Sequence, residues 1–295
     1  MITDTHPERI VAIIVTHFPD ANTQARLLSS LAPQVDKIVV VANSPSKPNP
    51  MTLPLTKLSP RDDIFYDLDN GNHQGLAGGF NLGIRYALDE LKADYVYLSD
   101  QDSVPAPGLV TRLLLQHKHL HKANSGLVGS IGPSHSYIND RFTGLPASDP
   151  TQVTDIISSG SLISRDTINA VGNMDEQLFI DYIDTEWCYR ASSRGYTHWV
   201  IPGEQLEHNL GNSAVTVLGA SKPLHSSADR HYYIIRNSLY LWRKAHMPWR
   251  WKLRDMLKFT RRLVAYPLLS SNKGLHLKAV VDGIRDGVMQ RMGER

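Results

Sequence analysis

The chain has 295 residues, of which 41% are hydrophobic, enough for one large domain or one domain with an appendage. Its 31 basic and 29 acidic residues leave a formal charge of +2, so nothing global points to nucleic acid and none is expected as a partner. One cysteine, Cys188, excludes an intrachain disulfide and fits a reducing cytoplasm.

No run approaches 18 apolar residues, so no transmembrane helix is expected. The polar start, Met1 to Arg9, lacks the basic-then-apolar pattern of a signal peptide. A soluble, cytoplasmic protein is expected, with peripheral contact at the inner face of a membrane left open.

In chain order, the apolar run Ile10 to Val15 predicts a central strand, with Thr16-His17-Phe18-Pro19 as the turn leaving it. Ala21 to Leu31 has helical spacing, and Lys37 to Val41 predicts a second strand ending at Ala42-Asn43-Ser44. Pro45 to Pro60 is rich in Pro and Ser and predicts a loop. Ile64 to Leu68 follows as a strand, Gly78 to Leu91 as a helix and Tyr95 to Leu98 as a fourth strand. Strands alternating with helices predict an α/β three-layer sandwich with a mostly parallel central sheet. No internal repeat is visible.

Two stretches in this half bear on chemistry. The fourth strand runs into Ser99-Asp100-Gln101-Asp102-Ser103, beyond the strand end where open α/β sheets place ligands. Two acids one residue apart either approach a hard cation, with a nucleotide diphosphate completing its shell, or form an ordinary turn. The loop Asn70 to Asn81, with glycines at 71, 75, 78 and 79, either lets a phosphate or ribose approach or makes a tight turn opening a helix. It spells neither a dinucleotide fingerprint nor a P-loop.

Further on, Val110 to His121 predicts a helix and Leu127 to Ile131 a strand. Gly132 to Asp155 is polar and turn-rich. Ile156 to Ile163 resumes strand character, with small residues that would let a ligand lie close. Phe179-Ile-Asp181-Tyr-Ile-Asp184-Thr-Glu186-Trp187-Cys188-Tyr-Arg190 leads to a helix stop at Gly195. Its acids fit either helix capping, with Asp181 at the N-cap and Asp184 in the first turn, or catalysis. Trp187 and Cys188 read as core. Thr197 to Ile201 is a strand, and His208 matters only if the fold brings it to a metal.

Taken together these pieces resemble the inverting family 2 glycosyltransferases of GT-A fold, most closely bacterial rhamnosyltransferases. The resemblance rests on Ile10 to Val15, Val41-Ala-Asn43-Ser44, Asn72-x-x-Gly75 with Asn81, and Asp100-Gln-Asp102. It continues through Ser159-Gly160-Ser161, the run Phe179 to Arg190, His208 and Arg230-x-Tyr232-Tyr233-x-x-Arg236-Asn237, covering Ile10 to Leu241.

The resemblance implies a divalent cation, Mg2+ or Mn2+, held by Asp102 and His208. It implies a nucleotide-sugar site that includes Thr16, Asn43, Asn72, Gly75, Asn81 and Asp100, with Arg236 offering a fork to the diphosphate. Asp184 would be the base, and Asp181, Glu186 and Trp187 would orient or contact the acceptor. Many relatives carry Glu-Asp where this chain has Ile183-Asp184, which leaves the base open between Asp184 and Asp181. The expected donor is dTDP-L-rhamnose, with UDP-hexoses as the alternative and a catalytically silent sugar-binding module as the rival class. The acceptor would be a glycan or lipid-linked saccharide, with 132–155 shaping its choice.

A catalytic domain is expected over 1–225, its nucleotide-sugar half about 1–103 and its acceptor half about 104–225, with a helical extension over 226–295. Tyr232 to Ala245 predicts a helix, followed by Trp249 to Tyr266 with apolar positions at helical spacing beside Arg250, Lys252, Arg254, Lys258, Arg261 and Arg262. This face fits either an anionic membrane interface or a basic, solvated surface. Leu275 to Met289 predicts one more helix, available for contact in a homo-oligomer.

Overall fold

The computed structural model describes residues 8–43, 65–70, 74–123, 126–134, 149–203, 206–208, 214–217, 220–223, 227–270 and 272–295. The expected loop at 45–60 and most of 132–155 lie outside them.

The sheet is organised on β1 (Ile10–Thr16), buried along its whole length. It pairs in parallel with β2 (Lys37–Ala42) on one side and β4 (Tyr95–Asp100) on the other. β3 (Phe65–Asp69) flanks β2, again in parallel. Successive residues of a strand point to opposite faces, and β1 divides its side chains accordingly. Val11, Ile13 and Val15 pack with Phe80 and Ile84 of α2 (Gly75–Asp89) and with Trp187 of α5 (Ile183–Ser192). Ala12 and Ile14 pack with Leu27, Leu28 and Leu31 of α1 (Ala21–Leu31) and with Leu109 and Leu113 of α3 (Leu109–Ala123). That is the three-layer sandwich.

Beyond β4 come β8 (Ser161–Ser164), β6 (Val128–Pro133), β9 (Thr197–Ile201) and β7 (Thr151–Val153), giving the order β3-β2-β1-β4-β8-β6-β9-β7. β8 and β7 run antiparallel to their neighbours, so the sheet is mixed with a mostly parallel majority. β5 (Ser103–Pro105) leaves the sheet to pair with β10 (Leu206–His208), and β11 (Ala214–Val217) pairs with β12 (Ala220–Pro223). Helix α4 (Arg165–Val171) follows β8. The chain closes with α6 (Ala228–Leu241), α7 (Trp249–Leu269) and α8 (Lys273–Met289).

Two elements depart from the sequence expectation. The strand expected over 156–163 begins only at Ser161, because Ser158 to Gly160 turn sharply, with Gly160 at φ +84 and its amide donating to Leu98 O at 2.8 Å. The glycine-rich stretch is mostly helix, since α2 starts at Gly75. A Cβ on Gly79 would lie 2.6 Å from Val15 Cγ1, and one on Gly83 2.4 Å from Ile13 Cγ2. These two glycines let α2 lie closely on β1, so their reason is packing.

His117 on α3 gives the fold an acid sensitivity. It is buried beside Tyr95 and stacked on His121 with ring centroids 5.9 Å apart. Burial, and then the charge of His121, push its pKa from 6.5 down to about 4. The folded state therefore favours the neutral ring, and the stabilisation is complete above pH 6.5. It is lost as pH falls toward 4 and the unfolded chain takes up the proton first, a difference on the order of 3 kcal/mol. His117→Leu should flatten that acid limb in urea titrations between pH 7 and 4; an unchanged limb would place the sensitivity elsewhere.

Candidate active site

The strand order reverses direction between β1 and β4, and a cleft outside the carboxyl ends of these strands is where such sheets bind ligands. Asp100 is the last residue of β4 and pairs with Val15 of β1. On the rim, the Gln101 side chain accepts from His17 N at 2.6 Å and donates to His17 O at 3.1 Å. The His17 ring Nδ1 lies 3.0 Å from Asn43 O, and Asn70 Nδ2 donates to Asn43 Oδ1 at 2.7 Å. Thr16 is buried, its hydroxyl donating to Val41 O at 3.3 Å. Thr16, Asn43 and Asp100 thus share one edge. Gln101, which had no role in the sequence reading, is tied to this edge through His17.

Three carboxylates face this edge. Burial pushes Asp100 up to about 7, the carboxylates of Asp184 and Asp102 add to the shift, and Arg230 opposes it. Asp184 is also raised, first by burial, and its carboxylate accepts from both the hydroxyl and the backbone N–H of Ser158. Ser159, the next residue, accepts from Asp100 N at 3.1 Å. The turn that replaced the expected strand therefore places one serine on each acid.

The segment before α5 is strained. Phe179, Asp181 and Tyr182 have φ of +64, +64 and +66, a conformation costing on the order of 1–3 kcal/mol for each such residue unless neighbours impose it. Those neighbours are identifiable. Phe179 O accepts from Ala77 N at 3.3 Å. Asn237 Nδ2 donates to Leu178 O, Ile180 O and Asp181 O at 3.0, 2.8 and 3.1 Å. Arg230 forks onto the Asp181 carboxylate, its Nε at 2.8 Å. Tyr182, and not Asp181, is the N-cap of α5, so the capping explanation for Asp181 does not hold. Its carboxylate orients Arg230 instead.

Several residues expected in the site are elsewhere. Arg236 is fully buried, and its guanidinium donates to Gly293 O, to Gln177 O and Leu178 O at 3.1 and 2.9 Å, and to Asn237 Oδ1. It offers no fork to a diphosphate, and Arg230 is the arginine at the acids. Asn81 is buried and tied to Met174 and Glu176, bracing α2 and not a ligand. Glu186, 1% exposed, is paired with Arg190 at 2.9 Å and His246 at 3.0 Å. Trp187 is core, donating to Gly172 O at 2.9 Å. Neither is placed to meet an acceptor. Gly75 packs on the strained segment: a Cβ there would lie 2.3 Å from Phe179 O, at φ +70. Gly75→Ala should therefore displace this segment and lower turnover more than it lowers the melting temperature; the reverse ranking would make it a folding position only.

Asn72 and the side chain of His208 lie outside the described residues. The backbone of His208 is opposite Ser103 in the β5–β10 pair, one residue beyond Asp102. Carboxylate oxygens at a strand end are the donors a hard divalent cation takes, and three acids facing one arginine leave negative charge for it to balance. Asp100 and Asp102 supply oxygens of that kind, but among the described residues no group of three or more His, Cys, Asp or Glu side chains is gathered closely enough to hold a metal ion.

The family model of glycosyl transferase family 2 matches residues 12–172, more than half of the chain. The chain belongs to this family. It is a glycosyltransferase. It is 31% identical over 293 residues to the dTDP-rhamnosyl transferase RfbF of Shigella flexneri, covering 94% of this chain and 95% of that protein. It is 28% identical over 268 residues to a galactofuranosyltransferase of Mycolicibacterium smegmatis, covering 80% and 84%. Among solved structures, S. aureus TarS residues 1–349 superpose with a TM-score of 0.55 at 14% identity, covering 96% of this chain and 82% of that one. GalNAc-T7 with UDP, GalNAc and Mn2+ gives 0.56 at 13% identity, covering 91% and 59%. These likenesses show the GT-A fold. In this family 2 glycosyltransferase, no helix among the described residues is long and apolar enough to cross a membrane.

Proposed function

We propose that the protein transfers L-rhamnose from dTDP-L-rhamnose, with inversion and with a divalent cation, to a hydroxyl of a growing cell-surface glycan such as an O-antigen, capsule or exopolysaccharide. The placement of Asp100 and Asp184 on the adjacent serines 159 and 158 at the sheet edge supports this reading, together with the rhamnosyl transferase among the relatives.

Asp184 takes the acceptor hydroxyl proton as that oxygen bonds to the anomeric carbon and the carbon–phosphate oxygen bond breaks opposite it. Such proton transfer is worth about 10²–10⁴-fold. A carboxyl raised by burial holds a proton better than an exposed one, and the Ser158 hydroxyl and amide keep its oxygens aimed. Arg230, held by Asp181, sets a permanent positive charge near the departing diphosphate. Asp102, with Asp100 beside it and His208 across the strand pair, would hold the cation, which when bound stabilises the leaving group as a Lewis acid. Thr16, Asn43 and Gln101 line the nucleotide side.

A panel of sugar nucleotides, scored by nucleoside diphosphate release with a lipid extract of the source cells as acceptor, tests the reading. dTDP-L-rhamnose should be the preferred donor and EDTA should abolish release. Turnover confined to UDP-hexoses, or undiminished in EDTA, would refute the donor or the cation respectively.

A lipid-linked acceptor would bring the protein to an anionic membrane, and α7 supports that contact. Its exposed side chains include Trp249, Leu253, Leu257, Val264 and Leu268, beside an exposed row of Arg250, Arg254, Lys258 and Arg261. A helix with such a face lies in the headgroup region of anionic lipid. The intact protein should cosediment with phosphatidylglycerol vesicles and not with phosphatidylcholine. Leu253→Asp with Leu257→Asp should cut that binding by at least about tenfold; equal binding to both lipids, or by the variant, would remove α7 from the membrane.

A further inference from the structure

Asp255 is the only acid of α7, and it does not join the solvated basic row. It is 3% exposed. Its carboxylate accepts from Tyr182 Oη at 2.7 Å, from Trp242 Nε1 at 3.0 Å and from Arg262 Nη1 at 3.3 Å. The Tyr182 hydroxyl in turn accepts from Arg262 and, at 3.2 Å, from Ser238 Oγ. One tyrosine oxygen is thus gripped by side chains of α6 and α7 together.

Tyr182 is no bystander. It is the N-cap of α5, at φ +66 and ψ +4, and follows Asp181 at φ +64. Two successive non-glycine residues do not hold the left-handed conformation unaided. The Asn237 side chain holds the backbone as far as Asp181 O, and Tyr182 O accepts the first helical bond from Glu186 N at 2.9 Å, so the Tyr182 hydroxyl is what ties this residue to the C-terminal helices. The backbone angles of an N-cap set where the first turn of its helix points, and Asp184 is the second residue of that turn. A buried acid–arginine pair is a poor device for stability alone, since an apolar replacement often does as well.

We propose that Asp255 is a positioning residue for Asp184, acting through the Tyr182 hydroxyl from outside the cleft. The proposal rests on the reading of Asp184 as the base. The C-terminal helices are then part of the catalytic apparatus without touching the substrate.

The test uses Tyr182→Phe, which keeps the ring and removes the one hydroxyl, and Asp255→Asn, each made in the intact protein with Asp184 present and with Asp184→Asn. Turnover of dTDP-L-rhamnose with the cell lipid extract is read alongside amide hydrogen exchange over 183–187. Tyr182→Phe and Asp255→Asn should each lower kcat about 10–100-fold with the donor KM held within about twofold, as expected for a misplaced group and not a lost contact; wild-type kcat in Asp255→Asn would overturn the role of Asp255. Exchange over 183–187 should quicken by about tenfold while amides of β1 and β4 stay unchanged. In the Asp184→Asn background the same change should cost no more than about twofold further, because two residues acting through one step are not additive. An equal loss in both backgrounds, wild-type turnover, or unaltered exchange would each overturn the proposal. Wild-type turnover by Asp184→Asn alone would instead remove the base reading on which it stands. A slow Asp184→Asn with a normal Tyr182→Phe would defeat the positioning role and leave the base intact.

Discussion

Replacing Asp184 by Asn should reduce sugar transfer by about 10²–10⁴-fold, the worth of a positioned proton acceptor, while affinity for dTDP-L-rhamnose changes little. The amide keeps the size of the carboxylate and one acceptor oxygen for the Ser158 hydroxyl, so the turn at Ser158 to Gly160 is retained. It also removes a charge that burial already disfavours, so the folded protein should melt no lower than the wild type. Loss of turnover without loss of stability separates a chemical role from a structural one. Undiminished turnover would return the base assignment to Asp181, whose oxygens are occupied by Arg230, or to a residue outside this cleft. A silent binding module would tolerate the change altogether.

Arg236→Met should act in the opposite sense, destabilising the fold by roughly 3–5 kcal/mol, since it takes donors from several buried acceptors at about 1–3 kcal/mol for each one left unsatisfied. The arginine lies near the rings of Tyr232 and Tyr233, 5.5 and 4.9 Å from their centroids, and its departure leaves the carbonyls of Gln177, Leu178 and Gly293 without these donors. At roughly 2–4 °C per kcal/mol for chains approaching this size, the melting temperature should fall by about 6 °C or more. The protein that remains folded should bind the donor as before. Preserved stability with lost donor affinity would restore Arg236 to the diphosphate and displace Arg230.

The contrast between the two arginines shows where sequence reading reaches and where it stops. Arg230 and Arg236 stand six residues apart, both in the run that carried the family resemblance. Six residues on a helix bring the second side chain to a face well away from the first. Which of them meets the cleft depended on where α6 begins, and it begins at Ala228, not at the Tyr232 expected from the pattern. Glu186 and Trp187 failed for a similar reason. They follow Asp184 closely in the chain, but the helical turn carries them to the core and to His246. The serines at 158 and 159 were legible only as small residues, because their partners are 26 and 59 positions away.

What the residues determined alone is the layered architecture and the family resemblance. Apolar runs with a period of two and of 3.6 dictate which faces are buried, and the run into Asp100-Gln101-Asp102 ends where a parallel strand delivers its ligands. Tertiary structure decided which polar side chains reach that edge and which are spent bracing it. Those choices turn on hydrogen bonds between distant segments, such as Asn237 to Leu178 and Asp255 to Tyr182, and no local period encodes them. An unpaired buried polar group is costly, so each of these side chains went to the partner that packing placed beside it.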